Sequence, residues 1–202
     1  MAPLHALRIS VWAIAGLLGV ALLVLVVIGA RNGTGLTGLS TAAIGGPFEL
    51  TDQHGNKVTE AALKGHPSAL FFGYTFCPDV CPTTLYDMTD WLQKLGPDGD
   101  KLKVYFVTVD PERDTEQKMA EYLQAFDPRI NGLTGSRPAI DQILKAYRVY
   151  SRKVPLDSGG YSMDHTASVY LLDANGAFTS TVDYQEDGAT VLKKLKRLIA
   201  SS

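Results

Sequence analysis

The chain has 202 residues, 46% hydrophobic and 20% charged, with 19 basic and 21 acidic side chains and two cysteines. That apolar content excludes a disordered chain, and two cysteines are too few for a disulfide-built scaffold. Beyond residue 31 the chain carries 17 basic and 21 acidic residues, a balance of −4 that offers no footprint for nucleic acid.

The first element is an uncharged run of 22 residues, 9–30. About 20 apolar residues at ~1.5 Å each cross a hydrocarbon core, whereas the apolar core of a cleaved signal runs only ~7–15. Ile28-Gly29-Ala30 is also a poor cleavage site. The expectation is one transmembrane anchor helix over 9–30, with Trp12 near an interface, after a short cytoplasmic segment, 1–8. Arg8 and the amino terminus flank one end and Arg31 the other, a slight tilt toward an inward amino terminus. The expected location is a bacterial inner membrane, crossed once, with the C-terminal domain in the periplasm. Residues 31–47, rich in Gly, Ser and Thr up to Ala43, read as a flexible linker.

A domain over 48–202 follows. Residues 48–51 and 57–59 flank a Gly-containing turn and predict a hairpin. The apolar runs 68–75 and 102–109 predict strands buried on both faces. Cys81, Leu85, Met88, Leu92 and Leu95 recur at helical spacing, as do Met119, Tyr122, Leu123 and Phe126, and then Ile140, Ile143, Leu144 and Tyr147. Asp114 with Gln117 reads as a capping box for the second of these helices. Residues 167–172 and 177–182 predict strands joined through Asp173-Ala174-Asn175-Gly176, and Val191, Leu192, Leu195, Leu198 and Ile199 a last helix with a basic outer face. The order predicts an α/β fold: a mixed sheet with helices on both faces.

Both cysteines lie in Phe76-Cys77-Pro78-Asp79-Val80-Cys81-Pro82, between a predicted strand and a helix start. A missing N–H costs little in the first helical turn, so the prolines fit. A thiol there faces the positive end of the helix, which favours the thiolate that attacks disulfides and binds soft metals. The spacing of four brings the sulfurs close enough to form a disulfide or share one ion. Cys81 alone would pass for a small core residue. Of the four histidines, His5, His54 and His66 read as solvent-facing. His165 stands before the strand that a sheet of this order brings beside the cysteine turn, and Asp164 beside it is placed to orient it. Asp79, between the cysteines, is the other carboxylate expected to tune the site. Met163 is a conceivable thioether donor but reads as a core residue. Two thiolates and an imidazole suit copper or zinc better than magnesium or calcium, and a soft, low-coordinate set favours Cu(I); structural zinc usually takes four ligands.

Cys77-Pro78-Asp79-Val80-Cys81-Pro82, the segment Val109-Asp110-Pro111-Glu112-Arg113-Asp114-Thr115, and Asp164-His165 with its following strand resemble the Sco/SenC family, named for synthesis of cytochrome c oxidase. The resemblance covers nearly the whole chain. It implies a thioredoxin-like fold tethered to the membrane, and copper, Cu(I) or Cu(II), held by Cys77, Cys81 and His165. It also implies a part in building the dinuclear copper centre of cytochrome c oxidase subunit II, with copper received from an upstream periplasmic donor. Family members are proposed both to deliver copper and to reduce the target cysteines, so the alternative is a tethered thiol:disulfide oxidoreductase using Cys77 and Cys81. Ordinary redox thioredoxins carry Cys-x-x-Cys and a Pro before the facing strand; here the spacing is Cys-x-x-x-Cys, and Asp164-His165-Thr166 stands where that Pro would be. A thiol peroxidase would need a polar shell around one reactive Cys, and no such pattern stands out.

Overall fold

Side chains alternate across a strand, so a strand apolar at every position must be covered on both faces. The computed structural model follows that rule at its centre. It describes residues 44–202 and, before them, helical residues Trp12, 16–21, 23 and 24. The chain divides into two units, 1–42 and 43–202. In the first, Trp12, Leu17, Leu18, Val20, Leu23 and Val24 are exposed helical residues. The rest of the expected anchor lies outside the described residues, and among the described residues no helix is long and apolar enough to cross a membrane.

The second unit runs β1 (Glu49–Asp52), β2 (Lys57–Thr59), a 3-10 turn (Glu60–Leu63), β3 (Ser68–Gly73), α1 (Val80–Leu95), a second 3-10 turn (Gly96–Lys101), β4 (Lys103–Thr108), α2 (Glu116–Leu123), β5 (Ile130–Thr134), α3 (Arg137–Ala146), β6 (Ser151–Pro155), β7 (Tyr161–His165), β8 (Val169–Leu172), β9 (Phe178–Val182) and α4 (Gly188–Ala200). Seven strands form one sheet in the order β2-β1-β5-β4-β3-β8-β9; β6 and β7 pair separately. β3, β4 and β5 are parallel, which requires the crossovers through α1 and α2, and β8 runs antiparallel to β3.

All six residues of β3 are buried. Phe71 stacks on Phe106 of β4, whose ring meets Tyr122 of α2. Phe72 points the other way, onto Tyr147 after α3 and Tyr170 of β8. Helices therefore cover both faces, as expected, and each fully buried aromatic or aliphatic side chain contributes on the order of 1.5–3 kcal/mol of transfer free energy. Met119 and Leu123 seat α2 on β5, where a Cβ on Gly132 would come within 2.7 Å of Leu123. α1 and α4 pack together on their apolar stripes, which include Leu85, Leu92, Val191 and Leu195. Residues 44–47, read as the end of the linker, lie along α3: the Gly45 amide donates to the Ala146 carbonyl, and the Gln142 side chain donates to the Pro47 carbonyl.

Two elements differ from the sequence reading. Ile130–Thr134 is a full strand beside β4, where the sequence reading placed no strand between the second and third helices; Asn131 and Gly132 mask it in sequence, and Gly132 is there because α2 leaves no room for a side chain. The segment after Tyr147 folds as the β6–β7 hairpin, so His165 ends β7 and β8 begins only at Val169. The capping box is also corrected. Thr115, not Asp114, caps α2, its hydroxyl accepting from the Lys118 amide, and Asp114 turns inward with no exposed surface.

Candidate metal centre

Three polypeptide segments meet where β3 ends. Gly73 closes the strand, and a Cβ there would stand 2.8 Å from Cys81 Sγ and 2.7 Å from the Phe106 ring. Glycine is what allows the second sulfur to approach the backbone. The chain then turns through Tyr74–Asp79 into α1, with the Cys77 amide donating to the Tyr74 carbonyl. The turn is braced from beneath by Asp114, whose carboxylate accepts from the Thr75 amide, the Thr75 hydroxyl at 2.6 Å and the Thr108 hydroxyl at 2.6 Å. Its carbonyl accepts from Thr134, so one residue ties the ends of β3, β4 and β5 together. Burial pushes the Asp114 carboxyl upward, and the hydroxyl and amide donors oppose that shift.

Cys77 is half-buried, Cys81 is wholly buried, and both are free thiols. The Cys81 amide donates to Cys77 Sγ at 3.4 Å, and the Asp79 amide also points at that sulfur. Donation from the Cys81 thiol and from those amides pulls the Cys77 thiol down to about 3, against its burial. The Cys81 thiol is pushed up, because it holds the proton shared with Cys77 and because it is buried. The two thiols are thus pushed in opposite directions, and the outer one ionises the more readily. The helix start contributes as expected, through main-chain N–H groups aimed at the sulfur.

His165 arrives from the hairpin. Its Nε2 lies 3.5 Å from Cys81 Sγ. Its Nδ1 lies 2.9 Å from the Thr166 carbonyl oxygen. A carbonyl only accepts, so Nδ1 carries a proton, which leaves Nε2 as the ring nitrogen free to meet a metal beside the sulfurs. Tyr74 and Phe71 present ring contacts to the imidazole at 5.8 and 6.4 Å between centroids. One donor atom from each of Cys77, Cys81 and His165 lies within 4.8 Å of the others, the one such group of three among the described residues. Two sulfurs and an imidazole nitrogen are a donor set that fits a soft, low-coordinate ion such as copper.

The two carboxylates expected to tune the site act otherwise. Asp79 is exposed, and it contributes its main chain: the amide to Cys77 and the carbonyl to Thr83. Asp164 pairs with Arg152 across the hairpin at 3.2 Å, while the imidazole is oriented by the Thr166 carbonyl. Strand alternation explains it, since successive residues of β7 point to opposite faces. Met163 is 7% exposed and belongs to the core. The sequence reading missed the Asp114 brace, although Asp114 stood in a quoted motif. It could not have found Thr166, because a carbonyl has no residue signature.

The sequence profile of the SCO1/SenC family matches residues 37–200. Protein SCO2 of Saccharomyces cerevisiae mitochondria is 39% identical over 164 residues, 79% of this chain and 54% of that protein. An SCO2-like protein of Rickettsia conorii is 40% identical over 137 residues, 67% of each. The chain therefore spans about half the length of the yeast relative. Among solved structures, Bradyrhizobium japonicum ScoI with copper bound is 49% identical and superposes with a TM-score of 0.73, covering 77% of this chain and 99% of that one. Yeast Sco1 with copper bound is 37% identical with a TM-score of 0.73, covering 79% and 90%. The fold, thioredoxin-like with an added hairpin, and the profile agree: this chain belongs to the SCO1/SenC family.

Proposed function

We propose that this chain is a membrane-anchored copper metallochaperone that holds copper through Cys77, Cys81 and His165 and delivers it to the dinuclear copper centre of cytochrome c oxidase subunit II during oxidase assembly. The observation that carries the reading is the meeting of the three donors, with the imidazole Nε2 turned toward the sulfurs and Nδ1 held by the Thr166 carbonyl. Relatives with copper bound share the fold at 37–49% identity. Copper would supply a soft ion that can pass between thiolate sites. Cys77 serves as the accessible donor, Cys81 as the buried one, and the hairpin brings the nitrogen. The uncharged run 9–30 supports a single anchor with the domain on the periplasmic side of a bacterial inner membrane, where an upstream donor would load it.

A second reading rests on the proton asymmetry of the thiols. A half-exposed Cys77 that ionises more readily than the buried Cys81 behind it is the arrangement of a nucleophilic and a resolving cysteine. A reductase of oxidase cysteines would use it without His165. The variant His165→Ala separates the two. For the metallochaperone, Cu(II) absorption is lost while the thiol redox potential and melting temperature stay near those of the parent. Unchanged copper spectra would remove His165 from the site and favour the reductase.

A further inference from the structure

The motif Asp110-Pro111-Glu112-Arg113 is not explained by metal ligation, and its side chains do not reach the sulfurs. They reach the hairpin. No strand pairing joins β6–β7 to the seven-stranded sheet among the described residues, so His165 depends on other ties for its position. The wholly buried Asp110 carboxylate accepts from Arg113 Nε through one oxygen and from the Tyr161 hydroxyl, at 2.9 Å, through the other. Arg113 Nη1 donates to the Tyr161 carbonyl at 3.0 Å. The same guanidinium lies 3.8 Å from the centroid of the Tyr161 ring and 4.8 Å from that of Phe76, the residue before Cys77. One cation thus touches the first residue of the strand that ends in His165 and the neighbour of the outer cysteine. A flat guanidinium can bond a carboxylate and a carbonyl at its edge while stacking on rings with its faces; an ammonium cannot do all of this at once.

We propose that Arg113, held by Asp110, is a positioning residue that sets the separation between the cysteine turn and the His165 hairpin, and so the fit of the three-donor site to copper. The proposal deepens the copper reading and rests on it. The hairpin's inner end is seated separately by Met163 and by the hydrogen bond between the Tyr74 hydroxyl and the Met163 main chain. Loss of the clasp therefore loosens the hairpin without detaching it.

The test uses the full chain with reduced thiols and two conservative variants, Arg113→Lys and Tyr161→Phe, beside Cys77→Ser and His165→Ala. Three quantities are read: amide hydrogen exchange of the copper-free protein, Cu(I) affinity in competition with a chromogenic chelator, and the Cu(II)–thiolate absorption band. In Arg113→Lys, exchange should quicken in 151–165 while β3, β4 and β8 keep their protection. Cu(I) affinity should fall about 10- to 100-fold, as for other residues that orient metal ligands, and the absorption band should shift or weaken. Tyr161→Phe keeps the ring and loses one hydroxyl, so it should show the same pattern, smaller. Parental hairpin exchange with parental copper spectra in Arg113→Lys overturns the proposal, as does an even loss of protection across the whole sheet. If Cys77→Ser and His165→Ala leave copper binding untouched, the copper reading fails instead, and hairpin exchange alone still decides whether the clasp holds.

Discussion

The two parts that supply the metal donors are built on opposite plans. The seven-stranded sheet, which carries the cysteine turn at the end of β3, has a centre with no exposed side chains: every residue of β3 and β8 is buried. The β6–β7 hairpin, which carries His165, is polar, and only Met163 among its ten strand residues is buried. Apolar burial locks the first, because moving any part of it opens a cavity. Discrete polar ties hold the second, chiefly Arg113 and Asp110 at Tyr161 and the Tyr74 hydroxyl at Met163. The two sulfurs sit on the rigid part and the nitrogen on the part whose place can be adjusted a bond at a time. A site of this kind can tune its third ligand without disturbing the fold.

The contrast breaks most completely at the sulfurs. Replacing Cys77 or Cys81 by Ser should abolish tight Cu(I) binding in a chelator competition, because a hydroxyl is a hard, protonated donor. The two variants should then diverge in stability. Cys77 is half-buried and its replacement should melt near the parent, while Cys81 has no exposed surface and its replacement places a hydroxyl in the core at a cost of about 1–3 kcal/mol. Equal melting of both would count against the burial asymmetry.

Next in size is the sheet itself. Leu70→Ala, at a wholly buried position of β3, should cost about 2–5 kcal/mol in denaturant unfolding. Lys153→Ala on the hairpin should leave the unfolding midpoint almost unchanged, since its pair with Glu112 is solvent-exposed. A hairpin substitution that matched Leu70→Ala would erase the distinction between the two parts.

Gly73→Ala sharpens the comparison at the seam. The new methyl would have to displace Cys81 Sγ and the Phe106 ring, both packed into the core, at about 1–3 kcal/mol. Copper affinity should fall with stability here, unlike in Lys153→Ala, where both should persist.

The smallest effect concerns acid. Donation by the Arg129 guanidinium holds the Asp127 carboxyl below the usual carboxylate range, despite its burial. A depressed folded value means the pair stabilises the fold above the unfolded carboxylate range and is lost as pH falls through the folded value. Asp127→Asn should therefore lower stability near neutral pH by about 1 kcal/mol, as for a modest charge-assisted hydrogen bond, and the difference from the parent should vanish in strong acid. Arg129 precedes β5, at the opposite end of the parallel strands from the cysteine turn that follows β3, so copper affinity near neutral pH should not change. A difference that persisted in strong acid would rule out this pair as its source.

Much of the molecule follows from local pattern. The runs that became β3, β4 and β8 are apolar at nearly every position, the helices repeat their apolar residues every three or four, and Asn175-Gly176 turns the chain between β8 and β9 with Gly176 at φ 77. The paired cysteines at a strand–helix junction, with His165 downstream, were legible for the same reason: residue type and spacing carry their chemistry. What tertiary structure decided is what depends on partners distant in the chain. Ile130–Thr134 became a strand because β4 offered an edge and α2 required a glycine there. Asp114 became a buried brace instead of a helix cap because Thr75, 39 residues away, supplied its donors. The imidazole took its orientation from the Thr166 carbonyl instead of Asp164, whose carboxylate turned to Arg152 on the neighbouring strand. Sequence specifies which groups can react or pack; their pairing is settled only when the fold brings donors and acceptors together and burial makes an unpaired one costly.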